Sequence, residues 1–139
     1  MRVFLDASVL LAASASANGA SREVFLLAPT NGWLLVATPY VVAEVMRNLS
    51  DFPLVATADW VRLRSQLLIM DDVLTLDRPV VFPAGKDRPI LFGALAWAEV
   101  LLTLDRRDFA PLLDESFYGL SVLKPGTFIA RERASGRLK

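Results

Sequence analysis

The chain begins MRVFLDAS (residues 1–8), a stretch in which the short apolar run Val3–Leu5 stops at Asp6. A short apolar run followed by a turn-forming residue is typical of a buried strand, and buried strands of this kind belong to parallel sheets. Ligands of open α/β sheets bind beyond the carboxyl ends of the strands. We therefore expect the Asp6 carboxylate to face a ligand, together with any other carboxylates that the chain brings to this edge.

The composition limits the chemistry that the chain can perform. The chain has 139 residues and a formal net charge of +0, with no histidine and no cysteine. The length fits a single domain, residues 1–139, and the neutral balance argues against a histone-like binder of nucleic acid. The missing residue types exclude disulfides, thiolate or imidazole metal sites and histidine-dependent catalytic triads. Catalysis would therefore depend on carboxylates, hydroxyls, lysine or arginine.

Strand-like and helix-like segments alternate along the chain. Further buried strands are predicted at Trp33–Ala37, Val100–Leu104 and Leu120–Leu123, and another at either Val73–Leu76 or Val80–Phe82. Helices are predicted between them, one starting at Thr38 and Pro39, one at about Ala56–Met70 and one capped by Asp87. This alternation predicts a three-layer α/β fold with a central, mainly parallel sheet and right-handed crossovers.

Two segments bear on the location of the chain and on its end. The run Val24–Ala43 carries no charge and has the length of a membrane span, but turn signals at Pro29–Gly32 and Thr38–Pro39 divide it. We therefore expect a cytoplasmic protein without a membrane segment. The last residues, 131–139, are basic and are predicted to form a flexible tail.

Acidic residues recur where the predicted fold would bring them together. Asp105, like Asp6, ends a strand, whereas Glu44 lies on the rim of the helix after Thr38 and Asp87 begins a helix. Asp87 reaches the same edge only if a strand directly precedes its helix. Several carboxylates in one place need a counter-charge, and Mg²⁺ or Mn²⁺ is the natural one for oxygen ligands. Such a site predicts activation of water for phosphodiester hydrolysis.

Each of these acids also has a structural interpretation. Asp6 and Asp87 are ordinary helix-capping or turn residues, and Glu44 is an ordinary solvated helix residue. Asp105 has arginine neighbours with which it can pair, and Asp108 is interpreted as a residue that caps or turns the loop. The functional interpretation therefore rests on the coincidence of the four placements.

Four segments form an ordered set that spans nearly the whole chain. They are Leu5–Leu10, Val42–Val45, Lys86–Leu91 with Ala94–Ala96, and Leu101–Phe109, the last with the pattern T-x-D-x-x-D-F. Together they resemble the motifs of PIN domains. One departure is Trp97-Ala98-Glu99, which stands where that family usually has a Gly-Ala pair.

The resemblance implies a metal-dependent ribonuclease that cuts single-stranded RNA and is often the toxin of a bacterial toxin–antitoxin pair. It also implies a homodimer and an antitoxin partner that blocks the cleft. Residue by residue it assigns a catalytic set, a metal-holding subset, and two polar residues that support the metal site. The catalytic set is Asp6, Glu44, Asp87 and Asp105, the metal ligands are Asp6, Asp87 and Asp105, and the supporting residues are Ser8 and Thr103.

Four arginines near the acidic positions are candidate phosphate contacts, with solvated surface charge as the alternative. They are Arg47, Arg88, Arg106 and Arg107.

The alternative function is a catalytically silent PIN-like module that binds RNA or a protein. A haloacid-dehalogenase-like phosphatase is disfavoured because Ser8 stands where it needs a second aspartate. A phosphotransfer receiver is disfavoured because Met1-Arg2 leaves no room for its paired acids.

Overall fold

The computed structural model describes residues 1–75 and 87–139. The strands of these residues are β1 (Arg2–Leu5), β2 (Leu34–Ala37), β3 (Leu68–Ile69), β4 (Val100–Leu102), β5 (Glu115–Phe117) and β6 (Leu120–Leu123). The helices are α1 (Ala7–Ala15), α2 (Ala20–Asn31), α3 (Pro39–Asn48), α4 (Leu54–Arg64), α5 (Arg88–Trp97) and α6 (Pro125–Ala134). A short 3₁₀ turn, Leu49–Asp51, follows α3.

The strands form one sheet in the order β3-β2-β1-β4-β6-β5. All neighbouring strands are parallel except β5 and β6, which are antiparallel. Helices pack with this sheet in a three-layer α/β/α arrangement. The predicted fold class, an α/β fold with a mainly parallel sheet, is confirmed.

The two central strands set the position of the first carboxylate. Val3–Leu5 of β1 and Leu101–Leu102 of β4 have no exposed surface. Leu5 pairs with Leu102, so the next residues, Asp6 and Thr103, leave the sheet side by side at its carboxyl edge. The Asp6 amide still donates to the Leu102 carbonyl oxygen at 3.1 Å. From β1 the chain adds β2 and β3 on one side of the sheet and then β4, β6 and β5 on the other side. Open α/β sheets form their ligand crevice at such a change of side, here between β1 and β4.

The strand at the β3 position differs from the prediction. The helix predicted to reach Met70 ends at Arg64, and β3 lies within its predicted span and pairs with β2. A strand of two residues is too short to show a period of two, which is why the pattern missed it. Val73–Thr75 form no regular element. Val80–Phe82 lie outside the described residues.

The α2 helix contains a proline near its end. It begins after Gly19, continues through Pro29, and ends where Gly32 takes the left-handed conformation with φ of 67°. Pro29 has no amide hydrogen to donate, but only two residues of α2, Thr30 and Asn31, follow it. Glycine at this position is the usual terminator.

The C-terminal region contains two elements that the sequence analysis did not predict, β5 and α6. Phe117 pairs with Leu120, so β5 and β6 are joined by the two-residue turn Tyr118-Gly119, both with positive φ. Such hairpin turns usually contain Asn-Gly or Asp-Gly. Because Tyr118 occupies the first turn position, the sequence lacks this signal. Residues 131–134, which were assigned to the tail, continue α6. The Lys139 amide donates to Asn31 Oδ1 of α2 at 2.7 Å.

Within residues 1–75 and 87–139, no helix has the length and the apolar character that crossing a membrane requires.

Candidate functional site

A cleft of about 180 Å³ lies at the carboxyl edge of the sheet and is called here the acidic cleft. The described residues that line it are Asp6, Ala7, Ser8, Leu11, Glu44, Asn48, Asp87 and Asp105. Four separate segments supply its acids: the end of β1, the middle of α3, the start of α5 and the loop after β4. The structure therefore brings all four predicted acidic residues to one place.

Asp6 is held by two hydroxyl groups. Its Oδ2 accepts a hydrogen bond from Thr103 Oγ1 at 2.7 Å and another from Ser8 Oγ at 3.0 Å. Although Asp6 occupies the N-cap position of α1, its side chain makes no capping hydrogen bond. Burial raises the pKa of Asp6 above its usual value, and the two hydroxyl donors oppose that rise. The carboxylate is thus oriented by the hydroxyl groups of Ser8 and Thr103 and by the Ala7 amide instead of by a capping hydrogen bond.

The same two hydroxyl groups connect Asp6 to the loop after β4. Thr103 Oγ1 accepts from the Asp105 amide at 3.0 Å, and Ser8 Oγ accepts from the Leu104 amide at 3.0 Å. Each hydroxyl therefore donates to the carboxylate and accepts from the loop backbone. Both residues that the resemblance named as supporting contact Asp6 directly.

Asp105 organises its own loop. Its Oδ1 accepts from the amides of Arg107 at 2.9 Å and Asp108 at 3.0 Å. This turn carries Asp108 back towards the start of α5, where its side chain shares a hydrogen bond with that of Asp87. Among the described residues, Asp87, Asp105 and Asp108 each offer one oxygen, and these oxygens lie within 4.8 Å of one another. One cation could contact all three.

Asp87 has an unfavourable environment for a negative charge. It is only 6 % exposed, and its Oδ2 is buried without a hydrogen-bond partner among the described residues. It stands at the N-cap of α5, as predicted, but makes no capping hydrogen bond. Burial, the hydrogen bond with Asp108 and the charges of Asp108, Asp6 and Asp105 raise its pKa to about 7.

The donor set suits a hard divalent cation. The three close oxygens of Asp87, Asp105 and Asp108 are carboxylate oxygens, the ligands that Mg²⁺ and Mn²⁺ prefer. Asp87 Oδ2 is buried and accepts no hydrogen bond from the described residues. A bound cation would offset the free-energy cost of burying this oxygen without a partner. The residues present therefore fit such an ion.

Helix α3 supplies the acidic cleft with Glu44 and Asn48. Glu44 is half-buried and lies on the rim of the helix, as predicted. Asn48 follows one turn later on the same face, and its Nδ2 donates to the Glu44 carbonyl oxygen at 2.8 Å.

Sequence reasoning missed Asp108 and Asn48 as residues of this region. The signal for Asp108 was present, because T-x-D-x-x-D-F places it three residues after Asp105, within reach of a single turn. The signal for Asn48 was its spacing of four from Glu44, which puts both on one helix face.

The four arginines predicted to contact RNA lie around this site without entering it. Arg47, Arg88, Arg106 and Arg107 are all exposed. No basic residue is among the described residues that line the acidic cleft. Arg106 and Arg107 directly follow Asp105 and are the two nearest to it along the chain.

A search of solved structures finds a similar fold. The crystal structure of VapBC2 from Rickettsia felis bound to a DNA fragment from their promoter contains a chain that is 17 % identical, with a TM-score of 0.62. The similarity covers 88 % of this chain and 97 % of that chain. The chain has a PIN-like fold. The fold implied by the sequence resemblance is thereby confirmed, whereas no family model and no curated protein sequence matches the chain.

Proposed function

We propose that this PIN-like chain is a Mg²⁺- or Mn²⁺-dependent endoribonuclease that hydrolyses phosphodiester bonds of single-stranded RNA. The observation that carries the proposal is the convergence of four acids from four separate segments on the acidic cleft. Asp6, Asp87 and Asp105 are the proposed metal ligands, with Glu44 completing the catalytic set. Asp108 is a further candidate ligand, because its oxygen lies within 4.8 Å of those of Asp87 and Asp105.

The cation, when bound, would activate a water molecule and offset the charge that develops on the phosphate oxygens. The chain's own residues prepare for it. Thr103 and Ser8 orient Asp6, and the loop amides hold one oxygen of Asp105. Asp87, with a pKa of about 7, holds or releases a proton near neutral pH while no cation is present.

We further propose that the chain is the toxin of a toxin–antitoxin pair, with an antitoxin protein as its partner and a second copy of itself in a homodimer. The similarity to a chain of the VapBC2 assembly supports a protein partner. The sequence resemblance to PIN toxins supports the same assignment. Loss of RNA cleavage on addition of the product of a small gene adjacent to the gene of this chain would test it.

The decisive experiment is cleavage of defined single-stranded RNAs by the purified protein, with Mn²⁺, with Mg²⁺ and with a chelator. We expect cleavage with either cation and none with the chelator. Asp6→Asn keeps an oxygen acceptor for Thr103 and Ser8 but removes a charge, so it should stay folded and lose cleavage. Asp51→Asn, which changes an exposed acid outside the acidic cleft, is the matched control and should cleave like the parent.

Two results would contradict the proposal. Cleavage by Asp6→Asn at the parent's rate would show that this carboxylate has no part in the reaction. A parent protein that binds RNA with Mn²⁺ present but leaves every strand intact would favour the silent binding module instead.

A further inference from the structure

Asn48 differs from the other polar side chains that line the acidic cleft. Apart from the four carboxylates, the polar residues among the described part of this lining are Ser8 and Asn48. The Ser8 hydroxyl is already committed, because it donates to Asp6 and accepts from the Leu104 amide. Asn48 is therefore the neutral polar side chain of the lining that has hydrogen-bonding capacity left for a ligand.

The Asn48 amide is oriented but only partly used. One Nδ2 hydrogen goes to the Glu44 carbonyl oxygen at 2.8 Å, while Oδ1 has no partner among the described residues. Asn31 near the end of α2 offers a comparison within the same chain. Its Nδ2 donates to the Leu27 carbonyl oxygen at 2.9 Å, but its Oδ1 accepts from the Lys139 amide. Both amides donate to their own helix and keep a second Nδ2 hydrogen, but of the two only Asn48 has an Oδ1 that accepts no hydrogen bond from the described residues.

An amide with one donor and one acceptor matches the edge of a nucleobase. The carboxylates of the acidic cleft accept hydrogen bonds and repel phosphate, so they cannot read a base edge that needs both kinds of partner. Asparagine pairs in this two-point manner with the N6 and N7 atoms of adenine. Unstacked bases of single-stranded RNA present such edges to proteins.

We infer that Asn48 contacts the base of a nucleotide next to the scissile phosphate and so determines part of the sequence preference of cleavage. This inference rests on the proposed ribonuclease function. Adenine is the base that its remaining donor and acceptor fit best. Asn48 acts here as a specificity residue, whereas the acids carry the chemistry.

The test uses a short single-stranded RNA pool of random sequence, with the cut positions read by sequencing. The parent is compared with Asn48→Ala and with Asn48→Asp, which keeps the size and an acceptor but loses the donor. We expect a preference at one position beside the cut, which both variants lose, with kcat/KM for the preferred sequence falling about tenfold. Mn²⁺ affinity of Asn48→Ala, measured by calorimetry, should equal that of the parent. Asn31→Ala loses an equivalent helix hydrogen bond away from the acidic cleft and should keep the preference.

An unchanged preference in Asn48→Ala would overturn the inference. So would a Mn²⁺ affinity that falls in step with activity, because Asn48 would then act by holding Glu44 in place. A parent that cuts no RNA would refute the proposed function separately. The contact between Asn48 and a base would then be tested by measuring the affinity of the protein for homopolymeric RNAs. Equal affinities of the parent and of Asn48→Ala for each homopolymer would refute the contact as well.

Discussion

Two carboxylates, at opposite ends of the sheet, are almost equally buried and have opposite surroundings. Asp87 at the carboxyl end is 6 % exposed, and Glu132 near the amino end is 5 % exposed. Glu132 accepts two hydrogen bonds from the Arg137 guanidinium, the shorter at 2.8 Å, and this contact raises the pKa of Arg137. Asp87 instead lies beside three other acids, and its own pKa is raised to about 7.

The two ends therefore handle buried charge differently. The cavity at the amino end, lined in part by Glu99, Glu132, Arg131 and Arg137, contains both signs of charge. The Glu99 carboxylate also accepts from the Arg2 amide at 2.6 Å. The described lining of the acidic cleft carries acids without a basic residue. A buried charge beside an opposite charge needs nothing else, whereas acids that lie close to one another raise each other's pKa and are stabilised by protons or by a cation.

The largest expected effects come from replacing the buried carboxylate at each end of the sheet with the corresponding amide. Asp87→Asn should lower metal-dependent RNA cleavage by at least about a hundredfold, since loss of a metal ligand costs more than loss of its supporting contacts. It should not destabilise the metal-free protein, because it removes a repelling charge. Glu132→Gln should do the opposite, with activity kept and the Tm lowered, because Arg137 loses its charged partner. Cleavage rate and thermal denaturation of both variants give the answer.

Two results would contradict this contrast between Asp87 and Glu132. If Asp87→Asn lowers the Tm as much as Glu132→Gln does, Asp87 serves folding and not a ligand. If Glu132→Gln lowers cleavage as strongly as Asp87→Asn, the amino end is not merely structural.

Much of the site could be predicted from the sequence because its parts sit at ends of elements. Asp6 and Asp105 follow apolar runs, and parallel strands deliver such residues to one edge. Which acids form the tightest group could not be predicted. That depends on the turn in which Asp105 Oδ1 accepts two loop amides, and this turn brings in Asp108. The spacing in T-x-D-x-x-D-F puts Asp108 within reach of such a turn, but the spacing alone does not tell a turn that brings Asp108 to Asp87 from one that only closes the loop.

The fold was predictable to a similar extent and for the same reason. Short apolar runs predicted the central strands, and the capping signals at Thr38–Pro39 and at Asp87 predicted the starts of α3 and α5. The short edge strands β3 and β5 were missed, since pairing with a neighbour defines them more than their own residues do. The α6 helix was missed because its first residues, Pro125 and Gly126, are turn formers, although proline is well suited to the first helical position.

The pH dependence of stability should also distinguish the two ends, with a smaller effect. The pKa of Asp87 is about 7 in the folded chain and about 3.9 when unfolded, so the folded state binds more protons between these values. The free energy of unfolding of metal-free protein should therefore fall as pH rises from about 4 to about 7 and level off above it. Asp87→Asn should flatten this slope, and saturating Mg²⁺ should stabilise the parent most at the upper end of the window.

Glu132→Gln is the control for that slope and should leave it as in the parent. Thermal denaturation in a chelator at a series of pH values measures it. A parent whose stability rises over this window would contradict the assignment of a raised pKa to Asp87.

The smallest expected effect concerns the arginines near the acidic cleft. If Arg106 and Arg107 contact phosphates, Arg106→Ala and Arg107→Ala should each weaken RNA binding about equally for all sequences, by a few-fold at low salt. Each should also reduce the slope of log affinity against log salt by about 0.7, the value for one contact to a single strand. Arg131→Ala removes an exposed arginine at the amino-end cavity and should change neither quantity. Fluorescence anisotropy of a labelled RNA across a salt series separates these cases, because a solvated surface charge would leave the slope of the parent unchanged.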